Sequence, residues 1–272
     1  MVQRNWVRTM AVLAASLLLT SAALAQKVAV LGAPGTPSWN NDVQSKLQGT
    51  GFFATVDIIN IATSTPTLSQ LQQYNAVLVF TDASAQDGTT LGNNLANYVD
   101  AGGGVVAAVF ITASIPLGGR FNSQNYYIIQ PTGQQQGTTE TLGTVYLPGD
   151  PLLAGVSSFN GGTSSYRPSS SSLNPVAVRV ADWTGPGTIP LIAKGVINGH
   201  PRVDLGFYPP SIDARSDFWV SSTGGARIMA NALLAVSGGI QAVPTLQPAA
   251  LLLLSLLVIA AVVWRQRTRG GI

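Results

Sequence analysis

The densest group of ionisable side chains in this chain is PPSIDARSDFW, Pro209 to Trp219, where Asp213, Arg215 and Asp217 alternate in sign beside Ser211 and Ser216. Two carboxylates at this spacing could line a small polar pocket or hold a cation through oxygen ligands. The other arrangement is a clamp, in which Arg215 engages a carboxylate and orders the loop while Phe218 and Trp219 pack inward. The clamp is the expected one, and no EF-hand spacing is present. His200 is the single histidine. A nucleophilic triad would need it beside Asp204 or Asp213 and a loop serine such as Ser114. Its setting, VINGHPRVD, reads instead as a Gly-His-Pro turn between strands. Asp82 ends an apolar run and either faces a ligand crevice or caps the next turn. GAPGTPSW, Gly32 to Trp39, has neither of the glycine-rich phosphate-binding patterns and reads as a proline-stiffened loop. The chain has no cysteine, which excludes thiol catalysis and cysteine-ligated metal. Asp82, Ser114, Asp213, Arg215 and Asp217 remain as candidate ligand-binding residues, with no catalytic residue, metal or cofactor assigned.

The elements that position these residues alternate between strand and helix. KVAVLG (27–32), ATVDIINI (54–61), AVLVFTD (76–82) and VVAAVFI (105–111) read as strands, the third apolar throughout, as in a sheet covered on both faces. Between them, Trp39, Val43 and Leu47 share one helical face. Thr67 caps a short helix that turns Leu68 and Leu71 inward. Leu91, Leu95, Tyr98 and Val99 define a third helix stopped by Gly102 to Gly104. This order predicts a parallel α/β sheet with right-handed crossovers and helices on both faces. From Gly118 to Pro190 the chain turns rich in Gly, Ser, Thr, Gln and Pro and reads as an irregular β-rich insertion. IPLIAKGV and PRVDLGFYP resume strand character, and GGARIMANALLAV (224–236) is the last helix, with Ile228, Ala232, Leu233 and Val236 on one side.

Both ends read as targeting segments. Arg4 and Arg8 precede an apolar run from Thr9 to Thr20, and SAALAQ supplies Ala23 and Ala25 as small residues before a cleavage site, which makes 1–25 a secretory signal peptide and Gln26 the first mature residue. The partner implied is signal peptidase. Residues 237–248 form a linker. Residues 249–264 are apolar except for Ser255, a helix of about 24 Å against a hydrocarbon core of about 30 Å. Trp264 suits the membrane interface, and the basic tail 265–272, with Arg265, Arg267 and Arg269, stays cytoplasmic. The 14 basic residues include five in these ends, which leaves nine against 11 acidic ones in the body, a net of −2. The pI of 9.4 therefore reflects the targeting ends and gives no reason to expect nucleic-acid binding. The body, 26–236 with the insertion at 118–190, is long enough for one well-buried domain.

Two resemblances follow from these residues. LQQYNAVLVF (71–80) and LANYVDAGGGVV (95–106), with DPLLAGV, RVDLGFYPP and ARIMANALL, resemble the class I glutamine amidotransferase-like fold, including its ThuA-like branch. The resemblance implies a flavodoxin-like parallel sheet. It also implies a Cys, often followed by His, after the fourth strand; here Phe110 and Ile111 stand there. A phenyl ring is neither a nucleophile nor activable by a base, so thiol chemistry is not expected and Phe110 is expected to plug the crevice. VPTLQPAALLLLSLLVIAAVVWRQRTR resembles the IPTL-CTERM sorting signal of exported bacterial proteins. Val243, Pro244, Thr245 and Leu246 match its signature, while Gln247 to Ala250 depart from the residues that usually follow. The resemblance implies an exosortase-type membrane protease as partner and removal of the tail; a permanent anchor is the alternative. The expected function is a surface-associated, non-catalytic module with a binding or structural role in the cell envelope or matrix, with polysaccharide a candidate ligand. The alternative is a hydrolase or sugar-active enzyme using Asp, Ser or His.

Overall fold

The computed structural model describes residues 26–238. The signal-peptide residues Ala23 and Ala25, the signature Val243 to Leu246, the apolar span 249–264 and the basic tail lie outside the described residues. Among the described residues, no helix is long and apolar enough to cross a membrane.

The expected alternation is present. β1 (Gln26–Ala33), α1 (Trp39–Gln48), β2 (Phe53–Asn60), α2 (Leu68–Leu71), β3 (Ala76–Thr81), α3 (Gly88–Asp100) and β4 (Gly104–Ala107) follow in order. After them come α4 (Gly119–Ser123), β5 (Gln134–Gln135), β6 (Leu142–Val145), β7 (Arg167–Pro168), β8 (Val178–Trp183), β9 (Pro190–Ile197), β10 (His200–Leu205) and α5 (Gly225–Val236). Eight strands form one sheet in the order β2-β1-β3-β4-β10-β9-β8-β6. The strands from β2 to β10 pair in parallel, and β10-β9, β9-β8 and β8-β6 pair antiparallel. The sheet is thus α/β and mostly parallel, with an antiparallel flank.

Strand alternation sends side chains to two cores. Val28 and Val30 of β1, with Leu78 and Phe80 of β3, pack with Val43 and Leu47 of α1 and Ile228 and Leu233 of α5. The intervening Ala29, Leu31, Val77 and Val79 pack with Leu71 of α2, with Leu91, Leu95 and Val99 of α3, and with Phe121 of α4. Thr67 caps α2 with a reciprocal bond from Gln70, a capping box. Asp87 caps α3 by accepting from Thr89 and Thr90.

Three expectations change in detail. The fourth strand ends at Ala107, and 108–113 wind into a buried turn, with Ser114 exposed at its end, in which Phe110 N–H donates to Thr81 O at 2.9 Å and Ala113 N–H to Phe110 O at 3.0 Å. The apolar run continues past the strand because this turn is itself buried. The 118–190 stretch is β-rich, but its strands β6 and β8 extend the main sheet, and only β5 and β7 form a separate ribbon. His200 is not in the turn but opens β10, paired with Ile197 across Asn198 and Gly199, both at positive φ.

A fully buried ion pair bolts that stretch to the parallel half. Arg202 donates to Asp204 at 3.0 Å and to Tyr126 O at 3.2 Å, and it also bonds Val105 O. The second oxygen of Asp204 accepts from Ile128 N at 2.7 Å and Ile129 N at 3.0 Å. Burial pushes the Asp204 carboxyl up, against the pull of Arg202 and the backbone N–H groups around it. Asp204 is thereby a structural residue, committed away from His200.

Candidate functional site

In open α/β sheets, ligands bind beyond the carboxyl ends of the strands, where the strand order reverses. Here that point lies between β1 and β3. Asp82 follows β3 and accepts from Gly35 N–H, in the loop after β1, at 3.2 Å. A Cβ at residue 35 would come within 2.8 Å of the Asp82 carboxylate, so a larger residue would require the Asp82 side chain to shift. The Tyr208 hydroxyl, just past β10, donates to the same carboxylate oxygen at 3.3 Å. Burial first, and then Asp82, push the Tyr208 phenol far above its ordinary value.

The space over β4 is filled by rings. Phe110 is 3% exposed and meets Tyr166 edge-on at 5.0 Å and Tyr208 at 5.2 Å between ring centres. Tyr208 in turn meets Phe218 at 5.0 Å, and Phe218 meets Trp39 at 5.1 Å. These separations suit aromatic pairs. The residual void beside Tyr166, Phe207, Tyr208, Phe218 and Trp219 is about 10 Å³, the least that admits one water.

Arg215 closes this cluster from outside. Its guanidinium donates to both oxygens of Asp217, at 2.5 and 2.7 Å, and to the Tyr166 hydroxyl at 2.9 Å. It lies 4.1 Å from the Phe218 ring centre and 5.4 Å from that of Trp39. Its hydrogen bond holds the Asp217 carboxyl below the usual carboxylate range, and the Ser164 hydroxyl adds to this. Phe218 and Trp219 are buried beneath.

The five sequence candidates do not converge. Arg215 and Asp217 touch. Asp213 instead pairs with Lys46 of α1 and accepts from Ser221 at 3.1 Å; the Lys46 bond lowers its pKa. Ser114 donates to Gln134 at 2.7 Å. Asp82 is committed to Gly35 and Tyr208. His200 lies beside Gly102, ahead of β4, whereas Ser114 follows β4, so the two sit toward opposite ends of that strand. The triad arrangement is therefore not assembled. Among the described residues, no group of three or more His, Cys, Asp or Glu side chains could hold a metal.

Sequence reasoning missed a second concavity. A groove of about 500 Å³ runs between the end of α1, a turn at 155–158 and the start of α5. Its lining includes the hydroxyl residues Ser45, Thr50, Ser157, Ser158, Ser222 and Thr223, of which Thr50 and Thr223 donate to Leu47 O and Val220 O, with Lys46 and Arg227 as its charged residues. Lys46 is paired with Asp213. Arg227 stacks 4.5 Å from the ring centre of exposed Phe52. It is the one Lys or Arg among the described residues with no carboxylate within 4.0 Å. Single serines and glycines drawn from three segments form no motif, so the sequence carried no signal for this groove.

Residues 241–269 match the IPTL-CTERM motif. No curated protein sequence matches the chain. Among solved structures, a ThuA-like protein from Parabacteroides merdae ATCC 43184 is 15% identical over 81% of this chain and 94% of that one, with a TM-score of 0.57. A ThuA-like protein from Bacteroides uniformis ATCC 8492 is 12% identical over 80% and 94%, with a TM-score of 0.55. The cytoplasmic protein STM1381 from Salmonella typhimurium LT2 is 11% identical over 77% and 99%, at 0.52. The described domain therefore has the ThuA-like, class I glutamine amidotransferase-like fold. At these identities the likeness is one of fold, and fold does not carry activity.

Proposed function

We propose that this chain is an exported surface protein whose ThuA-like domain binds a ligand of the cell envelope or matrix and does no chemistry on it. The observation that carries this reading is the filled crevice. The resemblance to the fold puts Phe110 where its thiol members would hold their nucleophile, and the rings of Tyr166, Tyr208 and Phe218 pack around and beyond it. Asp82, Ser114, Asp213 and Asp217 are each hydrogen-bonded to a different partner. The IPTL-CTERM motif supports export and C-terminal processing by exosortase-type machinery. In this reading residues 1–25 are removed by signal peptidase, and the apolar span 249–264 holds the protein at the membrane until cleavage near Val243 to Leu246.

The open groove beside Arg227 is the proposed contact surface. Its volume falls in the range of ligand sites, its hydroxyls suit a polyhydroxylated ligand, and Arg227 has a free guanidinium for an acid group. Envelope or matrix polysaccharide has both chemistries. The test is a glycan screen of the exported protein, with Arg227→Ala beside it. Binding of acidic glycans that the variant loses supports the reading; turnover of amide, ester or glycosidic substrates by the wild type, lost on Ser114→Ala or His200→Ala, overturns it.

A further inference from the structure

We infer that Gln26, once exposed as the first residue of the exported chain, closes to a pyroglutamate. The inference rests on the reading of 1–25 as a cleaved signal peptide and adds the chemical fate of the terminus that cleavage creates.

Two independent observations meet at this residue. Ala23 and Ala25 put the scissile bond just before Gln26. The folded domain begins at the same position, because Gln26 is the first residue of β1. The chain is secured one residue later. Lys27 donates its N–H to the Asn75 side chain at 2.8 Å, and its carbonyl accepts from Asn75 N–H at 2.8 Å. Pairing with β2 slips in register between Gln26 and Lys27. Gln26 therefore lies at the outer end of the ladder, and cleavage in front of it leaves the anchored strand intact.

The oxygen of its side-chain amide is uncommitted. The Gln26 Oε1 atom is buried with no hydrogen-bond partner. No hydrogen bond to that oxygen therefore holds the side chain against the rotation that cyclisation needs. The α-amine of a terminal Gln26 is joined to this amide carbon through three carbons of its own residue. A terminal α-amine ordinarily has a pKa of about 7.7–8.0, so near neutral pH a share of it is neutral and nucleophilic.

The reaction is self-contained. The amine nitrogen attacks Cδ of its own side chain and forms the N–Cδ bond of a five-membered lactam. The Cδ–Nε2 bond breaks, and Nε2 leaves as ammonia after taking one proton from the attacking amine. Nothing is oxidised or reduced, and no co-reactant is consumed. The product has lost the terminal positive charge and the free amine that an aminopeptidase requires, a useful property for a protein that works outside the cell.

The experiment is to produce the full chain with its own signal sequence in an exporting bacterial host and measure the intact mass before digestion, because digestion conditions themselves cyclise terminal glutamine. The exported protein should start at residue 26, weigh one ammonia less than the uncyclised chain, and resist a broad-specificity aminopeptidase until a pyroglutamyl peptidase has removed the first residue. Gln26→Asn should be cleaved at the same bond and keep a reactive amine. A chain that starts at Gln26 and retains its free amine after prolonged incubation at neutral pH overturns the inference and leaves the cleavage reading standing. A chain that starts elsewhere, or retains residues 1–25, overturns the cleavage reading and the inference with it.

Discussion

Over the carboxyl ends of β3, β4 and β10, Phe110, Tyr166, Tyr208 and Phe218 pack ring against ring, and Arg215 lies across them, tied to Asp217. On the face covered by α1 and α5, the groove beside Arg227 is walled by hydroxyls and glycines and holds no ring among its lining residues. In the first region Tyr166, Tyr208, Arg215 and Asp217 are all hydrogen-bonded and the void is about 10 Å³; in the second the space is about 500 Å³ and a guanidinium stands without a carboxylate. The first region looks built for stability and the second for contact. Substitutions in the first should therefore be felt in unfolding, and substitutions in the second in binding.

The largest effect is expected at Phe110. Removing its ring leaves a cavity among aromatic neighbours that cannot close fully, so Phe110→Ala should cost about 3–5 kcal/mol. Chemical denaturation should register it as a lower midpoint with an unchanged slope. The variant should gain no activity on amide, ester or glycation substrates, because a catalytic site also needs a positioned base and oxyanion donors. An unaltered melt would mean that the rings are not the packed plug they form here, and the contrast with the groove would fail.

Arg215→Ala should cost less, about 1–2 kcal/mol, through loss of the bidentate bond to Asp217 and of the stacking on Phe218. The figure is kept low because the Arg215 side chain is 39% exposed and water screens part of the charge. A variant that melts like the wild type but no longer responds to a bound ligand would move Arg215 from the stability side of the comparison to the binding side.

Acid should weaken the same clamp, by less. The Asp217 pKa is depressed in the folded state, chiefly by the Arg215 hydrogen bond. A depressed carboxylate stabilises the fold above its unfolded pKa, near 3.9, and the contribution fades as pH falls through the lower folded value. Stability measured from pH 5 downward should therefore drop more steeply for the wild type than for Asp217→Asn in that acid window. Parallel curves would show that the clamp carries no linked proton.

The two regions also differ in how legible they were in the sequence. The rings and the alternating charges of PPSIDARSDFW are large, distinctive residues, and periodicity put them near strand ends before any coordinates; Thr67 as a cap and the four parallel strands were legible for the same local reasons. Two features were obscured by burial and pairing. The run 105–111 stays apolar past Ala107 because a buried turn needs the same residues as a buried strand. The flank formed by β6 and β8 depends on long-range antiparallel pairing that local composition does not encode. The Asn198-Gly199 pair, a standard signal for a two-residue hairpin, was present and marks the β9-β10 turn that moves His200 onto a strand. The groove had no such signal, since its walls are small residues brought together only by the fold.

The sharpest test of the comparison has the smallest effect on stability. Arg227 sits in the first turn of α5, stacks on an exposed ring and has no carboxylate partner among the described residues. Its removal loses a partly exposed cation-π contact, offset by relief of a positive charge near the positive end of the helix dipole. Arg227→Ala should thus shift stability by no more than about 0.5 kcal/mol, the usual range for a surface site. Binding should respond differently. A guanidinium bonded to an anionic group contributes about 1.5–3 kcal/mol, so affinity for an acidic glycan should fall at least about tenfold, and Arg227→Lys should restore only part of it because the planar fork is lost. The measurements are a thermal melt and a titration on the same samples, at low and at physiological salt. A neutral melt with lost binding keeps the two regions distinct in role. Unchanged binding to every acidic glycan that the wild type retains would mean that the unpaired guanidinium is no contact, and the open groove would then have no more claim to function than the filled crevice.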